Sequence, residues 1–404
     1  MVPRYGADVI GGAEHAVRSL SRHLALSGVR MTVLTTNSTD YRTWEPTLPV
    51  GETREDGVAV KRFAVASGRH PDFDRIGGAV LSAPRAASPA DQLGWLRAQG
   101  PTSPDLLDAI EAWDGDLLCF SPYLYEPTVL GLERAQVPTV LLPAAHREPA
   151  LTLPMMDAVF ASADVVACYT EAEAQLVLRR FGLAHRNVAV VGLGVDPPPP
   201  ATDVRPGTGT LLPVQAPYLL CLGRVDDGKG AGVLARMFHA ARLHDDGLSL
   251  VYAGPVAQEP QPGPGLVTLG PVSDDEKWAL LRGCAALVSP SPHESFSFAI
   301  MESWQVGRPV LVNEACDVTT AHARRSQGGI SFDAPDTFAA FARLLVREPQ
   351  VASALGANGA RYVAQNYGWQ AVIERLRGAF DVALTLRATA RSVNAPPGGT
   401  RSGC

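Results

Sequence analysis

Residues 289–313 read SPSPHESFSFAIMESWQVGRPVLVN and contain the most specific pattern of the chain. Glu294 and Glu302 stand eight positions apart, the first in a polar loop and the second in a short helical segment. Ser297 is a residue type that caps helices and Gly307 one that ends them, so the spacing predicts a helix between these two positions. The stretch therefore predicts a loop and a helix start that carry two carboxylates, followed by an apolar strand.

Two interpretations of the Glu294/Glu302 pair are open from this stretch alone. A helix N-terminus attracts anions and carboxylates accept hydrogen bonds from hydroxyls, so the arrangement suits a sugar diphosphate. Alternatively, both glutamates cap the helix or bind cations at the surface. For an isolated pair of glutamates at this spacing, the second interpretation is favoured.

A second turn favours diphosphate binding over the capping interpretation. The sequence GRVDDGKG over 223–230 joins a predicted strand, Tyr218–Leu222, to a predicted helix. Such turns direct backbone N–H groups and the helix dipole toward an anion. Arg224 offers a rigid fork for phosphate oxygens and Lys229 a mobile positive charge. Alone, this turn is equally consistent with a solvated surface turn, but together with the two glutamates it favours diphosphate binding.

The composition indicates a globular protein of two domains. The chain has 404 residues, of which 46% are hydrophobic and 19% charged. A net charge of −6 argues against a broad nucleic-acid-binding surface.

Six cysteines are scattered without metal-ligand spacing, which is typical of small core residues in a reducing compartment. No apolar run reaches the roughly 18 to 20 residues of a membrane helix. We therefore predict a cytoplasmic protein, with peripheral membrane contact left open.

Short apolar strands alternate with helical stretches on both sides of a proline-rich segment, which predicts two doubly wound α/β units. We predict a Rossmann-like N-terminal domain over 1–196, a proline-rich linker over 197–216, a second domain over 217–367, a helix over 368–388 that packs back toward the N-terminal domain, and a disordered tail over 389–404. The mixed composition of 69–99 gives no firm prediction.

The N-terminus departs from the usual pattern. A doubly wound domain normally opens with an apolar strand before its first glycine-rich turn. Here only Met1-Val2 precedes Pro3, and the turn Gly11-Gly12 follows shortly after. We therefore expect the first strand to be missing. Either the strand is short or absent, or Met1 is an internal residue of a longer natural chain, and the second explanation is favoured because a central strand is hard to omit.

The chain resembles retaining glycosyltransferases of family 4, which have the GT-B fold. The resemblance extends from Pro3 to Asn366 and implies an α/β protein with two Rossmann-like doubly wound domains facing a cleft. The motifs that carry it are Gly11-Gly12-Ala13-Glu14, Val191–Asp196, Gly223-Arg224 with Lys229-Gly230, Ser289-Pro290-Ser291, the Glu294/Glu302 spacing and Gly307-Arg308-Pro309-Val310.

The resemblance implies roles residue by residue. Arg224 and Lys229 would neutralise the leaving diphosphate, Glu294 would contact the hydroxyls of the donor sugar, and Glu302 the ribose. His146, after a predicted strand, matches a histidine near the reacting sugar, although histidines at such positions are often structural. The implied catalytic residues are His146, Arg224, Lys229 and Glu294. The implied donor-binding residues are Gly11, Gly12, Gly223, Arg224, Lys229, Pro271, Val272, Glu294, Ser295, Phe296, Ser297, Phe298 and Glu302.

The implied activity is transfer of a hexose, with retention, from a UDP-, GDP- or ADP-sugar to a glycan, lipid-linked or small-molecule acceptor. Cell-envelope polysaccharide synthesis is the implied setting. Neither a metal nor another cofactor is expected, because Arg224 and Lys229 supply positive charge and no DxD-type carboxylate pair lies in a suitable loop. Alternatives are a GT-B sugar-nucleotide epimerase and a truncated, non-catalytic sugar-nucleotide-binding protein. A Rossmann dehydrogenase is disfavoured, because Gly11-Gly12 lacks the GxGxxG spacing.

One departure from the family concerns the loop that follows Glu294. The glycines usual there are replaced by Ser295 and Ser297. Because serine does not readily adopt a positive φ, we expect the backbone of this loop to differ from the family geometry.

Overall fold

The computed structural model describes residues 1–9, 11–200, 214 and 216–394, with side chains as far as residue 389. The chain divides into two compact units. Unit 1 consists of Met1–Val191 together with the segment from Ile373 onward, and unit 2 of Gly192–Val372. Most of the predicted linker over 197–216, and the predicted tail beyond residue 394, lie outside the described residues.

Unit 1 contains two small sheets and their covering helices. β1 pairs in parallel with β3, and β3 pairs antiparallel with β2, whereas the second sheet is parallel in the order β4-β5-β6-β7. The strands are β1 Thr32–Thr36, β2 Gly51–Glu55, β3 Val58–Phe63, β4 Leu118–Phe120, β5 Thr139–Leu141, β6 Val165–Cys168 and β7 Val188–Val190. The helices are α1 Gly12–Leu26, α2 Phe73–Ser82, α3 Pro89–Gln99, α4 Pro104–Glu111, α5 Glu126–Arg134, α6 Met155–Ser162 and α7 Glu171–Phe181.

The first three residues are hydrogen-bonded to backbone on two sides. The N–H of Val2 donates to the carbonyl of Leu34 over 3.1 Å, and the N–H of Ser121 donates to the carbonyl of Met1 over 3.1 Å. Val2 is fully buried. This short segment thus lies between β1 and the chain that follows β4, where a doubly wound sheet has its first strand.

Helices α2 and α3 occupy most of residues 69–99, whose composition supports no firm prediction. On α3 the buried side chains include two glutamines, Gln92 and Gln99, beside Trp95. Gln92 donates to the carbonyl of Ala87 over 2.8 Å and accepts from the N–H of Met155 over 2.8 Å. Because these buried positions are polar, hydrophobic periodicity does not reveal the helix.

Unit 2 is a single parallel sheet of six strands in the order β10-β9-β8-β11-β12-β13. The strands are β8 Tyr218–Leu222, β9 Ser249–Ala253, β10 Leu266–Thr268, β11 Ala286–Ser289, β12 Val310–Asn313 and β13 Gly329–Phe332. The helices are α8 Ala231–Ala240, α9 Asp274–Gly283, α10 Phe298–Gln305, α11 Asp317–Ser326, α12 Pro335–Arg347 and α13 Pro349–Asn366. The strand order reverses between β8 and β11, and ligands of such sheets bind beyond the carboxyl ends of the strands at this point.

The last helix, α14, spans Trp369–Asn394 and extends past residue 388, where the sequence analysis placed its end. Within unit 1, Arg375 donates to the carbonyl of Val191 over 2.9 Å and Arg377 to that of Ser27 over 2.7 Å. Among the described residues, no helix has both the length and the apolar character needed to cross a membrane.

Candidate functional site

The turn after β8 is shaped by an aspartate that the sequence analysis did not identify. The carboxylate of Asp226 accepts the N–H of Lys229 over 2.8 Å and pairs with the side chain of Arg224. Gly230 follows with φ 78°, and a Cβ at this position would lie 2.7 Å from the carbonyl oxygen of Pro290. The turn therefore requires glycine there and packs directly on the chain that follows β11.

Lys229 connects the two predicted halves of the site. Its Nζ lies 2.6 Å from Oε1 of Glu294, so the turn after β8 meets the loop after β11 at the switch point of the sheet. The side chain of Glu294 is 17% exposed and that of Lys229 36%. With Arg224 paired to Asp226, each cation has a carboxylate partner, which orients it before any anion arrives.

The loop after Glu294 is fixed by a buried aromatic side chain. Phe296 is 2% exposed, and its ring centroid lies 5.1 Å from that of Tyr367 and 5.8 Å from that of His322. Burial, with a smaller effect of Arg325, lowers the pKa of His322 to about 3, so this imidazole is neutral. Ser295 and Phe298 flank the anchor and are half-buried.

Two expectations for Ser297 are wrong. It does adopt a positive φ, of 74°, and its side chain makes no capping hydrogen bond to α10. The buried Phe296 on one side and the start of α10 on the other fix the backbone here. Packing thus offsets the cost of about 1 to 2 kcal/mol that the left-handed region imposes on a residue with a Cβ.

Glu302 on α10 pairs with a lysine that the sequence analysis missed. Nζ of Lys277, on α9, lies 2.9 Å from Oε1 of Glu302 and 3.2 Å from Oδ1 of Asp274. Burial raises the pKa of Glu302 above its ordinary value, and Lys277 acts in the opposite direction. Burial lowers the pKa of Lys277, but the two carboxylates outweigh it and the net shift is upward. Nothing in the local sequence around Lys277 indicates this partner, which is 25 residues away.

The segment predicted to contact a nucleobase follows β10. The N–H of Gly254 donates to the carbonyl of Gly270 over 2.8 Å, which fixes this segment beside the end of β9. Pro271 is exposed and Val272 is half-buried. Gly223 directly follows β8 and lies next to Gly254, since a Cβ on Gly254 would lie 2.1 Å from the carbonyl oxygen of Gly223. These residues share the carboxyl edge of the sheet with Arg224.

Gly11 and Gly12 lie at the start of α1 in unit 1. A Cβ on Gly11 would lie 2.1 Å from Oε2 of Glu14, whose carboxylate forms a buried pair with Arg4. A Cβ on Gly12 would meet nothing within 4 Å in the described part of the chain. The space beside Gly12 is therefore open, whereas a side chain on Gly11 would displace the carboxylate of Glu14.

His146 follows β5 in unit 1 and is half-buried. Its Nε2 lies 3.7 Å from Oε2 of Glu148, whose other oxygen accepts the hydroxyl of Tyr123 over 2.6 Å. Burial, with Glu148 adding to it, raises the pKa of Tyr123 well above its ordinary value, so this hydroxyl is a donor at neutral pH. The imidazole therefore faces a carboxylate whose other oxygen is held by the hydroxyl of Tyr123.

Glu173, on α7, anchors the loop that carries His146 and was also missed from the sequence. Its Oε1 accepts the N–H of Ala145 and its Oε2 the N–H of Tyr169, each over 2.6 Å. Glu173 is 1% exposed, and burial raises its pKa to about 8 against the opposing effect of the backbone N–H groups. Ala144, next to Ala145, has a φ of 55°. One buried carboxylate thus ties the ends of β5 and β6 together.

Within the described residues, no three His, Cys, Asp or Glu side chains are grouped so that they could hold a metal ion. The five described cysteines, Cys119, Cys168, Cys221, Cys284 and Cys316, are free thiols.

Part of unit 2 is similar in sequence to a known family. Residues 216–347 match the family model described as glycosyl transferases group 1. A relative from Catenulispora acidiphila, D-inositol 3-phosphate glycosyltransferase 1, is 28% identical over 410 residues, which cover 94% of this chain and 92% of the relative.

Solved structures show that the whole chain has the GT-B fold. Sucrose-phosphate synthase from Thermosynechococcus elongatus matches with a TM-score of 0.65 at 16% identity, covering 97% of this chain and 98% of its own. A trehalose-6-phosphate protein from E. coli, bound with UDP-2-fluoro glucose, matches with a TM-score of 0.68 at 13% identity, covering 95% and 98%. The fold prediction made from the sequence is confirmed.

Proposed function

We propose that this protein is a glycosyltransferase that moves a sugar from a nucleoside-diphosphate sugar to an acceptor hydroxyl. The observation that carries the proposal is the Lys229–Glu294 contact of 2.6 Å, which joins a cation and a carboxylate at the switch point of the sheet, in the region that matches the glycosyl transferases group 1 family. The names of the Catenulispora relative and of the matched structures support the same chemistry.

We further propose membership of family 4, with retention at the anomeric carbon and without a metal ion or cofactor. In the reaction, the bond from the anomeric carbon to the diphosphate oxygen breaks, and a bond to the acceptor oxygen forms. The acceptor hydroxyl gives its proton to an oxygen of the departing diphosphate, and the nucleoside diphosphate leaves with a negative charge. Arg224 and Lys229 stabilise that charge where it develops, and this electrostatic term is usually the largest in such reactions.

The remaining residues of unit 2 orient the donor. Glu294 accepts hydrogen bonds from sugar hydroxyls, and Glu302 does so from the ribose, while Lys277 keeps Glu302 in position at 2.9 Å. Pro271 and Val272 lie beside the base, which is uracil, guanine or adenine. In unit 1, His146 contacts the reacting sugar, and the acceptor is a glycan, a lipid-linked molecule or a small molecule of the cytoplasm or membrane surface.

Calorimetric titration with UDP, and with GDP and ADP in parallel, tests the donor site. Arg224→Ala and Glu302→Ala should each weaken binding of the preferred nucleotide by about tenfold or more, because each removes a charge-assisted hydrogen bond. Arg242→Ala is a matched control, since Arg242 is exposed and pairs with Asp245, three residues later. Unchanged affinity in both site variants would overturn the assignment.

His146→Ala tests the role proposed for unit 1. The variant should lose transfer activity by a much larger factor than it loses donor affinity, because His146 acts on the reacting sugar rather than on the nucleotide. Transfer is measured at saturating donor, and donor affinity by calorimetry. Equal losses in the two measurements would make His146 a structural residue only.

A further inference from the structure

One carboxylate, that of Asp226, contacts both cations of the turn after β8. Its Oδ1 accepts the N–H of Lys229 over 2.8 Å, and its Oδ2 accepts a hydrogen bond from Nε of Arg224. The first contact holds the backbone of the 3-10 turn Asp227–Lys229, and the second holds a guanidinium. The side chain of Asp226 is 16% exposed and that of Arg224 42%, so the carboxylate is the more enclosed partner.

The contact at Nε determines how Arg224 meets a phosphate. A guanidinium is planar and rigid, so a hydrogen bond at Nε fixes the plane in which its terminal N–H groups lie. Paired hydrogen bonds to phosphate oxygens depend on this plane. Asp226 therefore sets the orientation of the group that would meet the leaving diphosphate.

The same carboxylate adds negative charge to a site proposed for an anion. Arg224 and Lys229 carry two positive charges, which Asp226 balances in part. Glu294, whose Oε1 lies 2.6 Å from Nζ of Lys229, supplies the second negative charge. The formal charges of these four side chains therefore sum to zero before a nucleoside diphosphate arrives. Since like charges repel, Asp226 opposes the binding of the diphosphate while it orients a group that binds it.

We propose, resting on the function proposed above, that Asp226 is a positioning residue of the donor site that raises the rate of transfer and lowers the affinity for the nucleoside diphosphate. The rate depends on where Arg224 lies as charge develops on the leaving group, and a misplacement of about 1 Å costs up to about a hundredfold. The affinity depends on the summed charge of the site. Loss of the carboxylate should therefore strengthen binding and slow the reaction, whereas loss of a residue that only maintains the fold would weaken both.

Asp226→Asn removes the charge and keeps the turn. Asparagine is as good a cap as aspartate, and its carbonyl oxygen can still accept the N–H of Lys229. Its amide nitrogen is a donor and cannot accept the hydrogen bond from Nε of Arg224. Asp226→Ser is the second variant, because serine also caps well but carries no charge and has a shorter side chain.

Asp227→Asn is the matched control. It removes the same charge one residue away in the same turn. Asp227 is exposed, and its Oδ2 accepts the side-chain amide of Gln258 over 2.8 Å. This variant should change nucleotide affinity and reaction rate by less than about threefold, because an exposed charge is screened by solvent.

Calorimetric titration with UDP, GDP and ADP measures affinity, and both Asp226 variants should bind the preferred nucleotide about fivefold more tightly or better. The gain should shrink when NaCl is raised from about 0.05 to about 0.5 M, because salt screens charge. The rate is measured as cleavage of the matching nucleotide-glucose by excess enzyme, with water in place of the acceptor hydroxyl, so that product release does not limit it. Both Asp226 variants should be at least about tenfold slower.

The two measurements decide between the roles of Asp226. Unchanged or weaker affinity in both Asp226 variants, a gain that salt does not reduce, or tighter binding with an unchanged rate each overturns the proposal. An equal gain in Asp227→Asn overturns it as well, because the effect would then belong to any negative charge nearby. In all these cases the wild type still binds its nucleotide, whereas a wild type that binds none of UDP, GDP and ADP contradicts the proposed function itself.

Discussion

Two loops of the molecule each hold a residue in the left-handed region, but different side chains stabilise them. The histidine loop, residues 143–148, follows β5 in unit 1, and the glutamate loop, residues 290–297, follows β11 in unit 2. Each forces a residue with a Cβ into the left-handed region, Ala144 with φ 55° and Ser297 with φ 74°. The histidine loop is held by a buried carboxylate, and the glutamate loop by a buried aromatic ring.

The difference determines how each loop responds to solution conditions. Glu173 holds the histidine loop through two hydrogen bonds of 2.6 Å to backbone N–H groups. Because burial raises the pKa of Glu173, the stability of unit 1 depends on whether this carboxyl group is protonated. Phe296 holds the glutamate loop by packing, but it does so against His322, an imidazole that must stay neutral. The two buried groups should therefore affect stability in opposite directions, Glu173 lowering it as the pH rises and His322 lowering it as the pH falls.

The largest effect is expected from removal of the aromatic anchor. Phe296→Ala deletes a ring that is 2% exposed and leaves a cavity, which should lower the free energy of unfolding by about 3 to 5 kcal/mol. Denaturant unfolding measures the loss. Phe298→Ala is the matched control, because Phe298 is only half-buried and should cost less. Equal losses would show that Phe296 is not the anchor.

The carboxylate anchor should make unit 1 less stable as the pH rises. The pKa of Glu173 is raised from 4.5 to about 8, so the folded state binds more protons than the unfolded state between these values. The free energy of unfolding should therefore be highest below pH 4.5 and fall by up to about 1.4 kcal/mol per pH unit toward pH 8. Unfolding is measured from pH 4 to 9 for the wild type and for Glu173→Gln. The variant should lack this slope, and an identical slope in both proteins would contradict the assignment.

His322 should give the opposite dependence in unit 2. Its pKa is lowered from 6.5 to about 3, so the unfolded state binds the extra proton in this range. Stability should be full above pH 6.5 and fall by up to about 1.4 kcal/mol per pH unit as the pH decreases toward 3. His322→Gln should remove this component of the acid-side slope. A slope that survives the substitution would assign it to other groups.

The smallest effects are expected where glycine replaces the left-handed residues. Ser297→Gly and Ala144→Gly should each raise the free energy of unfolding by up to about 1 kcal/mol, because glycine adopts these φ values without strain. Ser295→Gly is the control, since the φ of Ser295 is not positive, and it should be neutral or destabilising. Destabilisation by Ser297→Gly would mean that its side chain has a role that the backbone strain does not explain.

The parts of the fold and site that could be predicted from the sequence are those that neighbouring residues determine. The strand Tyr218–Leu222 was predicted to the residue, because it is an apolar run bounded by Pro217 and Gly223. The turn with Arg224 and Lys229 was also recognisable, because neighbouring residues such as Asp226 build most of it. Features of this kind depend on residues that lie close together in the chain.

The parts that were not predicted depend on distant contacts. Ser297 was expected to avoid a positive φ, but Phe296 packs on residues that come 26 and 71 positions later, His322 and Tyr367, and this packing overrides the local preference. Glu173 stands three residues after Thr170, which caps α7, and so has the spacing of a capping box. Its side chain also holds Ala145, 28 residues earlier.

The division of the chain has a consequence for synthesis on the ribosome. Unit 2 is inserted within unit 1, whose second segment begins only at Ile373. The hydrogen bond from Arg375 to Val191 spans 184 residues and forms only when the last helix has left the exit tunnel. Unit 2 is contiguous and can fold before that helix is made. We therefore expect unit 1, whose first segment is translated first, to complete its folding after unit 2.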